Sequence, residues 1–141
     1  GWLGPARAES YNTPQLLAEE GFEYVGDFVN DDQPYRMDIP GEELYSIPYS
    51  TEMSDKIFDG STVSGAEFEQ MVTDQFDVLY EEGKAAGNAK IMAISLHPYL
   101  IGVPYRSTYL DKALEYITDH DDVWVTTGGE IIDHYRQEYA E

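Results

Sequence analysis

The stretch that decides the fold class is Lys90-Ile91-Met92-Ala93-Ile94-Ser95-Leu96-His97-Pro98. Its apolar residues are nearly continuous from position 91 to position 96, as in a strand of a parallel sheet that is covered on both faces. Pro98 cannot donate to a sheet ladder, so it ends the strand. The pattern therefore predicts a buried strand over residues 90–96.

The same pattern leaves His97 at the carboxyl end of the predicted strand. Parallel α/β folds build their functional sites at that end of the sheet. Histidine also changes its protonation state near neutral pH, which suits proton transfer. His97 is therefore the first candidate for chemistry, and the alternative is a structural histidine bonded to a neighbouring loop.

Helices and strands alternate along the rest of the chain, which predicts right-handed crossovers and a parallel sheet. Three core strands are few for a closed barrel or a doubly wound sheet, so either the hairpin region adds strands or the sheet needs a partner. The predicted elements besides the 90–96 strand are a helix from Thr13 to a stop at Gly21, a strand over 22–28, an irregular hairpin over 35–49, a helix from Ser64 to about Gly83, a helix around 110–117, a strand over 123–125 and a helix from Thr127.

Composition limits the possible partners. The 141 residues suit a single α/β domain over residues 1–141, and the 42% hydrophobic content argues against global disorder. The 28 acidic and 8 basic residues give a net charge of −20, which repels nucleic acids and anionic membranes. This charge indicates either a salt-adapted surface or simple solubility. The absence of cysteine excludes disulfides and thiolate metal sites and leaves the cellular compartment open.

The chain contains no apolar run long enough to span a bilayer. It opens on Gly1-Trp2 without an initiator methionine. We therefore expect a processed product or a piece of a longer protein.

Several short motifs occur in the order found in a known family. They are Gly1-Trp2-Leu3-Gly4-Pro5, Glu9-Ser10, Asn12-Thr13-Pro14, Leu16-Leu17-Ala18-Glu19, Gly21-Phe22 with Tyr24, Asp31-Asp32-Gln33-Pro34, Ile47-Pro48-Tyr49, Gln75-Phe76-Asp77, Ser95-Leu96-His97-Pro98, Val123-Trp124, and Gly129-Glu130-Ile131 with His134-Tyr135. Nearly end to end, the sequence resembles the polysaccharide deacetylase family (NodB homology). The nearest subgroup contains cofactor-independent allantoinases.

This resemblance implies a partial (β/α) barrel and hydrolysis of carbon–nitrogen bonds other than peptide bonds, with a carbohydrate or a ureide as substrate. Family members often bind zinc or another divalent metal through an early Asp-Asp pair and a His-x-x-x-His-like motif. Neither motif precedes Gly1-Trp2 here. The resemblance therefore implies that this chain is the C-terminal half of the domain. It also implies that the chain has no metal ligands and no cofactor of its own and is inactive alone.

The resemblance also implies residue roles. His97 matches the late Leu-His motif, whose histidine is the general acid toward the leaving nitrogen. The family pairs this histidine with a carboxylate from an earlier strand end, and Asp27, Asp31 and Asp32 follow the predicted 22–28 strand. A carboxylate there would orient the ring and stabilise its cation. The Asp-Asp pair before Gln33-Pro34 is also ordinary turn chemistry, and both interpretations stay open.

Two residues near the start are candidates for substrate binding. Arg7 corresponds loosely to the arginine of the family's early motif, and Trp2 could line a substrate groove. The alternatives are a solvated charge and an exposed terminal side chain. His120 lies at the end of a predicted helix, where a histidine cation interacts favourably with the helix dipole. His120 and His134 lack the close spacing of a zinc motif, so we assign no metal site.

Three functions remain after these arguments. The first is the C-terminal portion of a deacetylase-like hydrolase, and the second is a non-catalytic interaction domain on the same scaffold. The third is half of a split enzyme with a companion chain. Because an open sheet exposes unpaired edges, we expect a homo-oligomer or a companion chain as partner.

Overall fold

The computed structural model describes residues 1–139, which form two compact units. The first contains Gly1–Tyr49 together with the described residues from Thr126 onward, and the second is Ser50–Val125. This division does not test the prediction of a single domain. Among the described residues, no helix combines the length and the apolar character needed to cross a membrane.

The first unit contains a small mixed sheet of three two-residue strands. They are β1 (Tyr24–Val25), β2 (Tyr35–Arg36) and β3 (Tyr45–Ser46), in the order β1-β3-β2. The β1 and β3 strands are parallel, with Tyr24 opposite Tyr45, whereas β2 and β3 are antiparallel. The predicted hairpin is therefore present, and the predicted strand over 22–28 is reduced to its two central residues.

Two helices pack in the first unit. Helix α1 (Thr13–Glu19) begins near the predicted residue and has a proline in its first turn, where the missing N–H costs nothing. Gly21, which follows it, has a φ of 82°, a backbone conformation that favours glycine. The core of the unit is apolar and is formed by Leu17, Ala18, Val25 and Leu44, with Trp2, Phe22, Phe28, Met37 and Ile39 packed around them.

The last helix of the first unit, α5 (Gly128–Tyr139), begins with side-chain caps. The Glu130 carboxylate accepts hydrogen bonds from Thr126 Oγ1 (2.6 Å) and from the N–H (3.0 Å) and Oγ1 (2.9 Å) of Thr127. These bonds, that of the Thr126 hydroxyl above all, lower the pKa of Glu130 to about 2. The ionised carboxylate therefore stabilises the first turn of α5.

The second unit is mainly helical. Helix α2 (Gly65–Ala86) begins with the predicted capping box, in which Ser64 and Glu67 satisfy each other's backbone N–H groups. Helix α3 (Pro98–Ile101) is a single turn, and α4 (Pro104–Thr118) packs along α2. The core lies between these elements and contains Met53, Phe58, Phe68, Val72, Leu100, Ile101 and Ala113.

The predicted buried strand over residues 90–96 is wrong. This segment forms only one isolated parallel bridge, between Ser95 and Ser54, and residues 91–95 are half-buried. A regular strand needs a continuous ladder with a neighbour, and the 53–55 segment pairs at a single position. The predicted strand over 123–125 is also wrong, because these residues form no strand and both Trp124 and Val125 are exposed.

The packing of α2 leads to a test with two valines on one helix. Val72 is fully buried in the core, whereas Val78 is 56% exposed. We expect Val72→Ala to lower the free energy of unfolding by about 2 kcal/mol, because it removes buried methyl groups and leaves a cavity. Val78→Ala should change it by less than about 0.5 kcal/mol. Urea unfolding followed by circular dichroism measures both, and equal effects would contradict the assigned core face.

The α5 cap leads to a prediction about pH. Because folding lowers the pKa of Glu130 from 4.5 to about 2, its contribution is complete above the unfolded pKa and is lost as the pH falls toward 2. We expect first-turn amides of α5 to lose hydrogen-exchange protection over this range. Glu130→Gln should weaken this protection at pH 7 and remove its acid dependence. Glu138→Gln on the same helix is the control, and an identical effect of both variants would refute the capping role.

Candidate active site

His97 and Asp55 form the most closely connected pair of ionisable side chains in the second unit. The Asp55 Oδ1 lies 2.6 Å from His97 Nδ1, and the backbone N–H of His97 donates to Asp55 Oδ2 at 2.6 Å. Asp55 is fully buried, whereas 31% of the His97 side chain is exposed. The carboxylate therefore holds both the backbone and the ring of His97.

The backbone around Asp55 explains this position. The N–H of Ser95 donates to the carbonyl of Met53 (2.7 Å), and the N–H of Asp55 donates to the carbonyl of Ser95 (3.1 Å). Asp55 then opens a 3-10 turn, Asp55–Phe58, in which the Ser54 hydroxyl accepts from the N–H of Lys56. The bridge between the two segments brings Asp55 beside His97, although 42 positions separate them.

The residues after His97 fix its backbone. Pro98 begins α3, and the carbonyl of His97 accepts from the N–H groups of Leu100 (2.8 Å) and Ile101 (3.1 Å). Leu100 and Ile101 are buried in the core of the unit. The single turn of α3 therefore anchors the histidine to packed side chains.

The arrangement suits proton transfer. Because Nδ1 is hydrogen-bonded to a carboxylate, the neutral ring carries its proton on Nδ1, and the carboxylate would stabilise the imidazolium. Within residues 1–139 no hydrogen bond engages Nε2, so this nitrogen can exchange a proton with a bound molecule. The ring edge packs against Tyr99, with ring centroids 5.7 Å apart.

The carboxylate that contacts His97 is not one of the predicted residues. It belongs to Asp55, whereas Asp27, Asp31 and Asp32 belong to the first unit. Both carboxylate oxygens of Asp27 accept from the N–H of Gly4 at 2.9 Å. Asp31 accepts from the N–H of Gln33, which is the turn chemistry considered as the alternative. A catalytic role for these three residues stays a prediction.

The Asp27 carboxyl has an unusual electrostatic environment. Burial raises its pKa, and a hydrogen bond with Glu9 raises the pKa further. The Gly4 N–H and the charge of Arg7 act in the opposite direction. Glu9 also accepts from the indole N–H of Trp2 at 3.0 Å. Asp27 and Glu9 therefore hold the Gly1–Pro5 segment through hydrogen bonds to Gly4 and Trp2, which the sequence did not reveal.

The two predicted substrate-binding residues lie in the first unit. The Trp2 ring packs edge-on against Phe22, with centroids 5.7 Å apart, and the residue is half-buried. Arg7 is the last residue of a 3-10 turn, Pro5–Arg7, and has a positive φ of 54°. Their proposed contact with substrate stays a prediction.

The other two histidines have different surroundings. His120 Nδ1 lies 2.8 Å from the carbonyl of Tyr116, in the last turn of α4, and its ring packs against Phe76 and Tyr80. His134 is an exposed residue of α5. Within residues 1–139, no group of three or more histidine and carboxylate side chains is arranged to hold a metal ion.

Comparisons with known proteins agree with the order of motifs. No family model matches the chain. It is 38% identical over 119 residues to the "Putative polysaccharide deacetylase" of Schizosaccharomyces pombe. The match covers 77% of this chain and 37% of that protein.

Two solved structures resemble the chain along most of its length. The crystal structure of Puue Allantoinase aligns with a TM-score of 0.85 at 36% identity, over 94% of this chain and 45% of that one. The crystal structure of a "probable Polysaccharide deacetylase" from Pseudomonas aeruginosa PAO1 aligns with a TM-score of 0.82 at 36% identity, over 93% and 45% of the two chains. The chain spans less than half the length of these relatives. The alignments confirm the predicted fold class, a partial barrel of this type, although its small sheet is mixed rather than parallel.

The pair of Asp55 and His97 leads to a prediction about the imidazole tautomer. In the neutral ring we expect the proton on Nδ1, as measured by the ¹⁵N shifts of the ring nitrogens. Asp55→Ala should move the proton to Nε2 and lower stability by about 1–3 kcal/mol, because the buried N–H of His97 loses its acceptor. The tautomer of His120, which is bonded to a backbone carbonyl, is the internal control. An unchanged His97 tautomer in Asp55→Ala would contradict the orienting role.

Proposed function

Because the chain belongs to the polysaccharide deacetylase family, we propose that it supplies the general acid of a hydrolase that acts on carbon–nitrogen bonds other than peptide bonds. The observation that carries this proposal is the contact between the buried Asp55 carboxylate and His97 Nδ1. A histidine held in this way presents its other ring nitrogen for proton transfer.

The proposed step is protonation of the leaving nitrogen. After water has added to the carbonyl carbon and lost a proton to the attacking base, the bond between that carbon and the nitrogen breaks and a carboxyl group forms. The nitrogen takes a proton from His97 Nε2 and leaves as a neutral amine. Asp55 holds the ring through Nδ1 and stabilises the imidazolium that precedes the transfer. General acid catalysis of this kind contributes about 10²–10⁴ in rate.

The described residues do not fit the divalent metal that the family implies. Both Asp55 oxygens contact His97, and residues 1–139 contain no other grouping suited to a metal ion. We therefore assign no metal-dependent step to this chain. Part of the proposal is that these residues form the C-terminal portion of the domain, with metal ligands and the attacking base located elsewhere in the protein.

The proposal extends to substrate and assembly. The names of the relatives include polysaccharide deacetylase and allantoinase, so the candidate substrates are N-acetylated carbohydrates and ureides. We propose that the 141 residues alone are inactive and associate with a second copy or with a companion chain. The exposed apolar side chains of Leu96 and Val125, which are 41% and 77% exposed, favour such association. An isolated chain that is monomeric by light scattering and hydrolyses either substrate would contradict this part.

The general-acid role is tested in the full-length protein with N-acetylglucosamine oligomers and with allantoin. We expect His97→Ala to lower kcat by about 10²–10⁴. Asp55→Asn should also lower kcat, because the amide keeps the side-chain shape but has one acceptor oxygen for the two N–H groups of His97. The readout is kcat for both substrates.

The control for this experiment is His134→Ala, which removes an exposed histidine of the first unit. It should leave kcat within about twofold of the wild-type value. Full activity of His97→Ala, or an equal loss in His134→Ala, would refute the role of His97. A full-length protein that hydrolyses neither class of substrate would refute the proposed function itself.

A further inference from the structure

Two exposed side chains lie next to the pair of Asp55 and His97. Lys56 directly follows Asp55, and Tyr99 lies two residues after His97. The Lys56 Nζ donates to the Tyr99 hydroxyl at 2.7 Å, and the Tyr99 ring stands edge-on to the His97 ring. The segments that carry the proposed general acid and its carboxylate therefore also carry an ammonium group and a phenol.

Both side chains are accessible to a bound molecule. Tyr99 is 64% exposed and the Lys56 side chain is 48% exposed, so neither is needed to fill the core. The Lys56 Nζ lies 5.4 Å from the centroid of the Tyr99 ring, which places the ammonium at the hydroxyl end. An ammonium has three N–H donors and the hydroxyl has one, so donors remain for a ligand.

Lys56 is also a rare positive charge. The chain has 8 basic and 28 acidic residues, so its overall field repels anions. The hydrogen bond to Tyr99 raises the pKa of Lys56, and the nearby Asp59, 3.7 Å away, acts in the same direction. The lysine is therefore a cation at neutral pH.

From this placement we propose that Lys56 and Tyr99 bind a carboxylate of the substrate. The inference rests on the proposed function, because the Tyr99 ring contacts the ring of the proposed general acid His97. The ammonium attracts the negative charge, and the phenol directs it with a hydrogen bond. Among the substrates of the proposed hydrolase, the subsite favours N-acyl or N-carbamoyl amines that bear a carboxylate.

Two probes that differ in one group test this subsite. N-Acetylglycine carries a carboxylate beside its amide nitrogen, and N-acetylglycinamide carries a neutral amide at the same position. Binding to the full-length protein is measured by isothermal titration calorimetry, with the resonances of His97 and Tyr99 as a local readout. We expect the acid to bind about tenfold more tightly than the amide, the size of one charge-assisted hydrogen bond.

Three variants assign this preference to the two residues. Lys56→Gln should abolish the preference, and Tyr99→Phe should reduce it about threefold, because it removes one hydrogen bond from an uncharged donor. The control is Lys84→Gln, which removes the same charge from another exposed lysine beside a tyrosine, with Lys84 Nζ 4.0 Å from the Tyr80 ring. Lys84→Gln should keep the wild-type preference.

The outcomes separate the subsite from the proposed function. Equal binding of the two probes, no binding of either, or the same effect of Lys56→Gln and Lys84→Gln would overturn the subsite. A preference that depends on Lys56 supports the subsite even if N-acetylglycine is not hydrolysed. Failure to hydrolyse N-acetylglucosamine oligomers and allantoin would then count against the proposed function alone.

Discussion

The buried Asp55 carboxylate is the constraint on which the second unit and its candidate site depend. A carboxylate in a packed interior is costly unless hydrogen bonds satisfy its oxygens. Here one oxygen accepts the backbone N–H of His97 and the other contacts the ring. The same two contacts satisfy the buried oxygens of Asp55 and orient the imidazole of His97, and they join residues 42 positions apart. They therefore stabilise the fold and position the group used in the proposed chemistry.

Elements set by local interactions could be predicted from the sequence, and elements set by distant neighbours could not. The capping box of α2 needs only Ser64 and Glu67, three positions apart, and it is present as predicted. The apolar run over 90–96 indicates burial, but a strand also needs a partner with a continuous ladder. The structure supplies one bridging position, at Ser54 and Ser95, so residues 91–95 are half-buried without forming a regular strand.

The same distinction explains the candidate site. His97 could be found because its signal is local, a histidine between an apolar run and Pro98. Its partner could not, because the choice of Asp27, Asp31 or Asp32 assumed that the carboxylate follows the first predicted strand. Asp55 lies instead on the segment that bridges to Ser95. The sequence has 28 acidic residues, and little in it distinguishes Asp55 from the others. One signal was available, since Asp55 stands between Met53 and Phe58, whose side chains are buried in the core.

Burial divides the site into two parts with different physical roles. Asp55 is buried and satisfied, so a substitution there changes both folding and the orientation of His97. Lys56 and Tyr99 are exposed, so their substitution alters what the site attracts at little cost to stability. Asp55 and Lys56 are adjacent in the sequence, yet the first is buried and the second is exposed, because Asp55 begins a tight 3-10 turn. Under the proposed function, the buried carboxylate fixes the proton donor, and the exposed lysine favours molecules that carry a negative charge.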